Sequence, residues 1–448
     1  MNFLSILQGV GGIIVLLGIA FLFSNNKKHI NWRLVGTGLI IQLIFAVFII
    51  KGNTLGAFFY PLSWIKMSIE WLGGVIVMLL HFTLEGTKFV FGNLGDSTTS
   101  GSIGVIFAFQ VLPTIIFVST ITSILYYFGV LQKIVQGMAW IMIRLLGTSG
   151  AESLSNTANI FVGQTEAPLL IKPYIDKMTK SEILTIMTGG MATIAGGVMA
   201  AYIAILGTSL AAAKGIDLSV AQIQIAVQLL AASTMAAPAS LVVAKMLYPE
   251  MEESMTKGTV KLKVEKNASN VIEAAANGAA DGVKLTINVA GMLISFIALI
   301  ALVNFLLTFL GDVTGLNPIL VQNFKQPLSI QLLLGMILQF IGVAIGVPWQ
   351  DALNFGSLIG TKIVLNEFVA YLDLSKLLSQ NILTEKTAIM ASYALCGFAN
   401  FSSIAIQIGG IGEMAPSRKK DISLLGMKSI LGGTLATLMT ATIGGMLF

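Results

Sequence analysis

The chain has 448 residues, of which 55% are hydrophobic and only 10% are charged. Soluble domains carry about 25% charged residues, so this sequence has too little polar surface for a water-soluble particle of its size. The mean hydropathy of +0.87 indicates an integral membrane protein. The composition excludes a disordered chain, a disulfide scaffold and a binder built on a basic surface, so the expected partner is the lipid bilayer and no nucleic acid.

Eight apolar stretches predict membrane-spanning helices, since a span needs about 20 mostly apolar residues. In chain order they are Leu4–Phe23, Leu34–Ile50, Ile103–Tyr127, Ile183–Leu206, Ser219–Leu247, Val283–Leu310, Ala388–Gly409 and Ser423–Leu447. Pro113 predicts a kink in the third span. If both termini lie outside, most of the 26 lysine and arginine residues fall in cytoplasmic loops, which is the bias found in membrane proteins.

Three further apolar stretches are predicted to be interfacial helices. They are Gly56–Gly92, Val130–Leu146 and Ile330–Val347. The first carries Lys66, Glu70 and Glu85, and these charges argue against a span.

Two segments are too short and too interrupted to cross: Asn156–Ile175 and Ser357–Leu374. Each has a carboxylate near its middle, Glu166 or Glu367, and each is predicted to be a re-entrant hairpin. The order of span, interfacial helix, hairpin, broken span and span then occurs twice. The second copy is expected to be inverted, as in many transporters. Chance similarity between apolar segments is the alternative.

A carboxylate at membrane depth marks a functional site by default. Glu166 follows Gln164 and Thr165, and these three polar groups would suit a polar, uncharged ligand. Glu367 would pair well with the vicinal hydroxyls of a ribose, because two O–H donors match its two oxygens. The alternative for both acids is a solvated loop position.

Two broken spans supply further candidates. In the seventh span, Asn400 and Ser403 would share a helix face, and Phe398 would shield a planar ligand. In the fourth span, paired glycines around Thr193 permit local unwinding, and freed carbonyls with this hydroxyl and Asn159 would suit Na⁺. Helix packing by small residues and hydrogen bonds between helices are the alternatives.

At these residues the sequence resembles the concentrative nucleoside transporters, from about Leu34 to the C-terminus. The motifs that carry the resemblance are the glycine-rich fourth span, Gly163-Gln164-Thr165-Glu166-Ala167-Pro168, Ala237-Pro238-Ala239-Ser240-Leu241, Asn366-Glu367-Phe368-Val369-Ala370-Tyr371 and Cys396-Gly397-Phe398-Ala399-Asn400-Phe401-Ser402-Ser403. The resemblance implies an all-α polytopic fold with eight transmembrane helices, two opposed re-entrant hairpins, interfacial helices and an inverted repeat, assembled as a homotrimer.

The resemblance also implies a division of the chain. Residues 1–130 would be scaffold helices with an outer interfacial segment, 131–248 the first transport half, 249–282 a cytoplasmic connector, 283–310 a scaffold helix and 311–448 the second transport half. The implied substrate-binding residues are Gln164, Thr165, Glu166, Val198, Glu367, Phe398, Asn400 and Ser403. The implied Na⁺ ligands are the side chains of Asn159 and Thr193 and the carbonyls of Val162, Thr193 and Ile194.

We therefore expect a Na⁺-coupled nucleoside symporter of the bacterial inner membrane. Some sodium-coupled relatives have serine where this chain has Thr193, which keeps the hydroxyl. Thr165 and the Ala167-Pro168 pair favour Na⁺ over H⁺, and an H⁺-coupled carrier is the alternative. A channel or an intramembrane enzyme is a more distant possibility; the sequence has no phosphate-binding loop and no metalloprotease or serine-hydrolase motif, so no enzymatic activity is expected.

Overall fold

The computed structural model describes residues 3–95, 106–258, 268–324 and 326–448, and within these ranges every regular element is a helix. The predicted all-α fold class is confirmed. The first four helices are α1 (Phe3–Leu22), α2 (Trp32–Ile50), α3 (Gly52–Phe58) and α4 (Trp64–Phe91). Asn31 begins α2 by accepting a hydrogen bond from the Leu34 N–H at 3.2 Å.

Helix α4 occupies most of the stretch Gly56–Gly92, for which the sequence predicts an interfacial helix. With its flanking turns it is long and apolar enough to cross a membrane. Two of the three charged residues named for this stretch, Lys66 and Glu70, form an ion pair one helical turn apart, at 3.5 Å. Length and composition thus allow a membrane-spanning position, and whether α4 spans or lies at the interface stays a prediction. Eight helices in the described ranges pass the test of length and composition. The number agrees with the prediction. Ala388–Gly409 is not among the eight, because it is interrupted between Leu395 and Phe401, as the sequence predicts for this broken span, and α4 is counted in its place.

The next part of the chain contains α5 (Phe107–Gln110), α6 (Pro113–Tyr127) and α7 (Val130–Leu146). The candidate span Phe107–Tyr127 is interrupted between Gln110 and Pro113, which is where the sequence predicts a kink. Pro113 begins α6, because a proline in the first helical turn lacks only an N–H that would have no helical partner. Residues 103–105 of the predicted third span lie outside the described residues. Helix α7 has its predicted bounds, and its placement at the interface stays a prediction.

The first half of the repeated order begins with α6 and α7 and continues with a helix pair that we call the first hairpin, residues 150–175. This hairpin consists of α8 (Gly150–Ala158), a turn, a 3-10 segment over Ala167–Ile171 and α9 (Lys172–Ile175). The first broken helix follows, formed by α10 (Lys180–Ala192) and α11 (Gly196–Lys214), and then α12 (Leu218–Leu247). Ser149 and Thr179 begin α8 and α10 with capping boxes closed by Glu152 and Glu182.

Helix α13 (Val271–Val313) has 43 residues and is followed by α14 (Leu316–Phe324). At 1.5 Å per residue α13 is about 64 Å long, about twice the hydrocarbon thickness of a bilayer. It begins inside the segment predicted to be the connector, residues 249–282. Only 6% of its most apolar window is buried within the chain, so most of this helix faces outward.

The second half contains α15 (Ile330–Ala344), the second hairpin formed by α16 (Trp349–Val364) and α17 (Glu367–Ser379), the second broken helix formed by α18 (Glu385–Leu395) and α19 (Phe401–Met414), and α20 (Lys419–Leu447). The order of elements therefore occurs twice, as the sequence predicts. The inversion of the second copy and the re-entrance of the hairpins stay predictions.

The core lies where the two halves meet. Helices α12 and α20 pack against each other and against α10 and α18. Their most apolar windows are 83% and 89% buried. The two broken helices and two hairpins surround this pair. The interruptions in the chain therefore lie close to a buried interior.

The two broken helices cross at their interruptions. Gly397 lies between α18 and α19 with φ 151°, a conformation that favours glycine. A Cβ atom at this position would lie 2.6 Å from the Met191 carbonyl oxygen and 2.8 Å from the Ala192 carbonyl carbon at the end of α10. Both atoms belong to backbone, so neither can move as a flexible side chain would.

We expect Gly397→Ala to separate the broken helices and to abolish transport, because the added methyl group meets both steric overlap and backbone strain. Gly409→Ala is the matched control, since a Cβ there meets nothing within 4 Å. Transport by purified protein in liposomes measures the effect. Equal activity of the two variants would show that the crossing tolerates displacement.

A buried ion cluster fixes the base of the first hairpin. The Lys245 ammonium lies 2.8 Å from Glu152 and 3.0 Å from Glu250, and it donates to the Ser181 hydroxyl at 3.0 Å. The Gly150 N–H donates to the Thr256 carbonyl at 2.8 Å. The start of the predicted solvated connector is therefore packed against α8 and α10.

Removing the cation from this cluster would leave Glu152 buried without compensation. We expect Lys245→Met to lower the free energy of unfolding by about 3–5 kcal/mol. Lys257→Met removes an exposed ion pair with Glu253 and should change stability by less than about 1 kcal/mol. Unfolding in detergent measures both, and similar losses would contradict the assigned role of Lys245.

Candidate functional site

The turn of the first hairpin presents the polar residues that the sequence singles out. The Glu166 carboxylate accepts a hydrogen bond from the Gly163 N–H at 3.3 Å, which closes the turn. The Gln164 side chain is buried, whereas that of Glu166 is exposed within the chain. The turn therefore places the Gln164 amide in the interior and leaves the Glu166 carboxylate accessible.

The second broken helix meets this turn through its capping residue. The Asn400 side-chain oxygen accepts from the Ser403 N–H at 2.8 Å and so begins α19. The Ser403 hydroxyl accepts from the Gln164 amide at 3.1 Å, and Gln407 donates to the Gln164 oxygen at 3.0 Å. The first hairpin and α19 are thus joined by hydrogen bonds between residues far apart in sequence.

Glu367 is the first residue of α17, at the turn of the second hairpin. Its carboxylate accepts from the Tyr202 hydroxyl at 3.0 Å and from the Asn400 amide at 2.9 Å. The Asn366 side chain caps the same helix by accepting from the Val369 N–H at 2.9 Å. A carboxylate in the first turn of a helix is also stabilised by the helix dipole. Glu367 is therefore positioned from three sides.

These groups line one cavity of about 160 Å³. All eight predicted substrate-binding residues line it: Gln164, Thr165, Glu166, Val198, Glu367, Phe398, Asn400 and Ser403. The opposite wall comes from α13 and is apolar, with Leu285, Val289, Met292 and Leu293. Sequence reasoning missed this wall, since nothing distinguishes these residues from the rest of an apolar helix.

A larger cavity of about 480 Å³ adjoins the first and shares Glu166, Ala195 and Leu285 with it. It lies between α6, α7, the first hairpin and the beginning of α13. Its lining is more polar and includes Asp281 and Lys284. The smaller cavity is thus bordered by a vestibule on the side of the chain that holds the predicted connector.

A second group of candidate residues lies at the interruption of the first broken helix. The Gly196 N–H donates to the Phe161 carbonyl at 3.1 Å, which brings the turn of the first hairpin to the gap between α10 and α11. Asn159 is 1% exposed, yet neither atom of its side-chain amide has a hydrogen-bond partner within the described residues. Thr193 is equally buried and donates to the Gly189 carbonyl at 2.8 Å.

Comparison with known proteins identifies the family. Sequence models described as Na⁺ dependent nucleoside transporter N-terminus, Nucleoside recognition and Na⁺ dependent nucleoside transporter C-terminus match residues 11–94, 108–209 and 228–445. An uncharacterized transporter of Haemophilus influenzae is 42% identical over 99% of this chain and 98% of its own length. Sodium/nucleoside cotransporter 1 of Mus musculus is 38% identical over 99% of this chain and 64% of its own length.

The chain belongs to the Na⁺-dependent nucleoside transporter family. Two solved structures agree with this family fold. CNTnw in an inward-facing substrate-bound state has a TM-score of 0.84 at 37% identity and matches 99% of this chain and 98% of its own. A CNTnw variant in an outward-facing state has a TM-score of 0.86 at 36% identity and matches 100% and 98%. Structures of this family thus include states open to each side.

Membership makes Na⁺ the coupling ion, as the sequence predicts, and the residues near Asn159 fit such an ion. A buried amide without a partner is unusual in a folded protein and calls for an explanation. The carbonyls of Val162, Thr193 and Ile194 accept no hydrogen bond from a backbone N–H in the loops, turns and helix ends of the described part of the chain. Hard oxygen donors of this kind suit Na⁺, whereas the described ranges contain no cluster of three His, Cys, Asp or Glu residues for a transition metal.

Tyr202 is a site residue that sequence reasoning missed. It lies in α11, one helical turn after Val198, and its buried hydroxyl holds one oxygen of Glu367. We expect Tyr202→Phe to weaken nucleoside binding by about 10- to 150-fold, because a hydrogen bond to a charged group contributes about 1.5–3 kcal/mol. Calorimetric titration measures the change. An affinity equal to that of the unaltered protein would show that Tyr202 does not position Glu367.

Proposed function

We propose that this protein is a Na⁺-coupled symporter that imports nucleosides across the bacterial inner membrane. It would act as a homotrimer with both termini outside. The observation that carries the proposal is the convergence of eight residues from the two hairpins and two broken helices on one cavity. Such a constellation at the meeting point of two repeats is typical of secondary transporters.

The chemistry of the cavity matches a nucleoside. Gln164, Thr165 and Glu166 offer both donors and acceptors to the nucleobase, and Val198 with Phe398 borders its apolar face. Glu367 would accept hydrogen bonds from the ribose hydroxyls, and Asn400 and Ser403 would complete that contact. The carboxylate of Glu367 is already aligned by two donors, so little ordering is left for the moment of binding.

The Na⁺ ligands would be Asn159 and Thr193 through their side chains, with carbonyls of Val162, Thr193 and Ile194. Bound Na⁺ would supply a positive charge, which these neutral oxygens would coordinate. Val162 precedes Gly163 directly, so order at the ion site is transmitted along the backbone to the turn that binds the nucleobase. Ion and nucleoside would therefore raise each other's affinity, and the coupling is reciprocal by linkage.

The division of the cavity wall supports an elevator movement. The polar contacts come from the hairpins and broken helices, whereas α13 contributes only apolar side chains to the smaller cavity. Polar groups and substrate would move together past this apolar wall without breaking hydrogen bonds to it. The family structures in inward-facing and outward-facing states are compatible with such a cycle.

Uridine uptake into proteoliposomes tests the function. An imposed inward Na⁺ gradient should drive uridine accumulation above the external concentration, and replacement of Na⁺ by K⁺ or choline should abolish it. A pH gradient at equal Na⁺ should have no effect. Accumulation that follows the proton gradient and ignores Na⁺ would instead establish the H⁺-coupled alternative, and equilibration without accumulation would indicate a channel.

A further inference from the structure

Lys362 is a buried cation that the proposed cycle does not use. It lies near the end of α16 and is 0% exposed. Its ammonium donates to the Ala394 carbonyl at 2.8 Å and to the Thr437 hydroxyl at 3.2 Å. It forms no ion pair with a carboxylate in the described ranges. A buried charge held only by neutral oxygens is unfavourable unless the surrounding structure makes use of it.

The position of Lys362 relates it to the proposed ribose site. Helix α16 ends two residues after Lys362, and α17 begins with Glu367, so the two charges flank the turn of the second hairpin. Both side chains also contact the second broken helix, because Lys362 donates to the Ala394 carbonyl before its interruption and Glu367 accepts from the Asn400 amide after it. Ala394, which accepts the hydrogen bond from Lys362, is the penultimate residue of α18, immediately before the interruption of the second broken helix.

The first half of the chain has the same arrangement with one difference. There, too, the turn of a hairpin meets the interruption of a broken helix, at Phe161 and Gly196. That place offers the unpartnered Asn159 amide and the Thr193 hydroxyl, and neither the turn, residues 159–166, nor the interruption, residues 193–196, contains a lysine or arginine. In the second half, the corresponding junction of hairpin and broken helix holds the Lys362 ammonium instead.

We propose that Lys362 is the built-in cation of the second half, where it does what Na⁺ does in the first. Its charge joins the second hairpin to the end of α18 and thereby holds Glu367 in the position where it would accept from ribose hydroxyls. Lys362 is thus a positioning residue that acts through Glu367. The inference rests on the proposed function, and it implies that one Na⁺ binds with each nucleoside, because the second junction already has its cation.

A double-mutant cycle in uridine affinity tests this role, measured by calorimetric titration at saturating Na⁺. Lys362→Met should weaken uridine binding at least tenfold, and Lys362→Arg, which keeps the charge, should recover most of it. The double variant Lys362→Met/Glu367→Gln should bind uridine no more weakly than Glu367→Gln alone, since both changes remove one interaction. Lys376→Met, an exposed lysine of the same hairpin paired with Asp373, is the matched control and should stay within twofold.

Two outcomes would overturn the proposal. Losses that multiply in the double variant would show that Lys362 acts independently of Glu367. Two Na⁺ bound per uridine in the unaltered protein would show that the second junction takes an ion of its own, and this measurement decides even if Lys362→Met does not fold. Absence of Na⁺-dependent uridine binding by the unaltered protein would contradict the proposed function itself, which keeps the two failures distinct.

Discussion

Glu367→Gln is expected to weaken nucleoside binding by about 100-fold, which corresponds to about 2.7 kcal/mol. The ribose hydroxyls would lose a charged acceptor, and hydrogen bonds to charged groups contribute about 1.5–3 kcal/mol each. The substitution also disturbs the site itself. An amide presents one oxygen where Tyr202 and Asn400 now find two, so one of these buried donors would face an N–H₂ group.

The comparison of uridine with 2′,3′-dideoxyuridine isolates this effect. The dideoxy compound has no vicinal hydroxyls, so its affinity should change less than about threefold on Glu367→Gln. Glu385→Gln, an exposed acid at the start of α18, is a suitable control for loss of a charge. Equal weakening of both ligands in calorimetric titration would remove Glu367 from the ribose contact.

Asn159→Leu is expected to abolish the stabilisation of the protein by Na⁺ without weakening the Na⁺-free protein. The unaltered protein should gain about 2.7 kcal/mol when Na⁺ is present at 100 times its Kd. Asn159 is buried with no partner for either amide atom in the described ranges. Its replacement by an apolar group of similar size therefore breaks no hydrogen bond within the chain.

Thermal unfolding in NaCl and in choline chloride measures this response. Asn156→Ala is the matched control, because Asn156 lies one turn earlier on α8, is fully buried and accepts from the Ser240 hydroxyl at 3.4 Å. That variant should be less stable in both salts and should keep its response to Na⁺. Retention of the Na⁺ response by Asn159→Leu would exclude Asn159 as a ligand.

The sequence predicted the residues of the cavity because local signals mark them. Asn400 begins a helix inside an apolar stretch, and a capping residue at that place indicates a broken span whatever surrounds it. Glu166 and Glu367 are conspicuous in a chain with so few charges. The polar residues that line the cavity could therefore be named without coordinates, whereas their role in binding a substrate stays a prediction.

The remaining parts of the site depend on tertiary contacts that have no local signal. Tyr202 and Lys362 contact residues 165 and 32 positions away. The apolar wall of α13 looks like any other face of an apolar helix. The charges of α4 show the same limit, because Lys66 and Glu70 read as two separate charges in the sequence and form an ion pair in the structure.

The apolar wall of α13 also has a pharmacological consequence. The side chains of Leu285, Val289 and Met292 provide no hydrogen bond that a cargo molecule must satisfy. A nucleoside analogue with a bulky hydrocarbon substituent would keep the polar contacts of its nucleoside part. Its substituent would also pack against the apolar side chains of this wall. Such a compound would contact both the helices proposed to move and α13, which is proposed to stay fixed. It would therefore inhibit the movement. The apolar wall of α13, which natural substrates are proposed to pass without hydrogen bonds, is thus a binding surface for inhibitors.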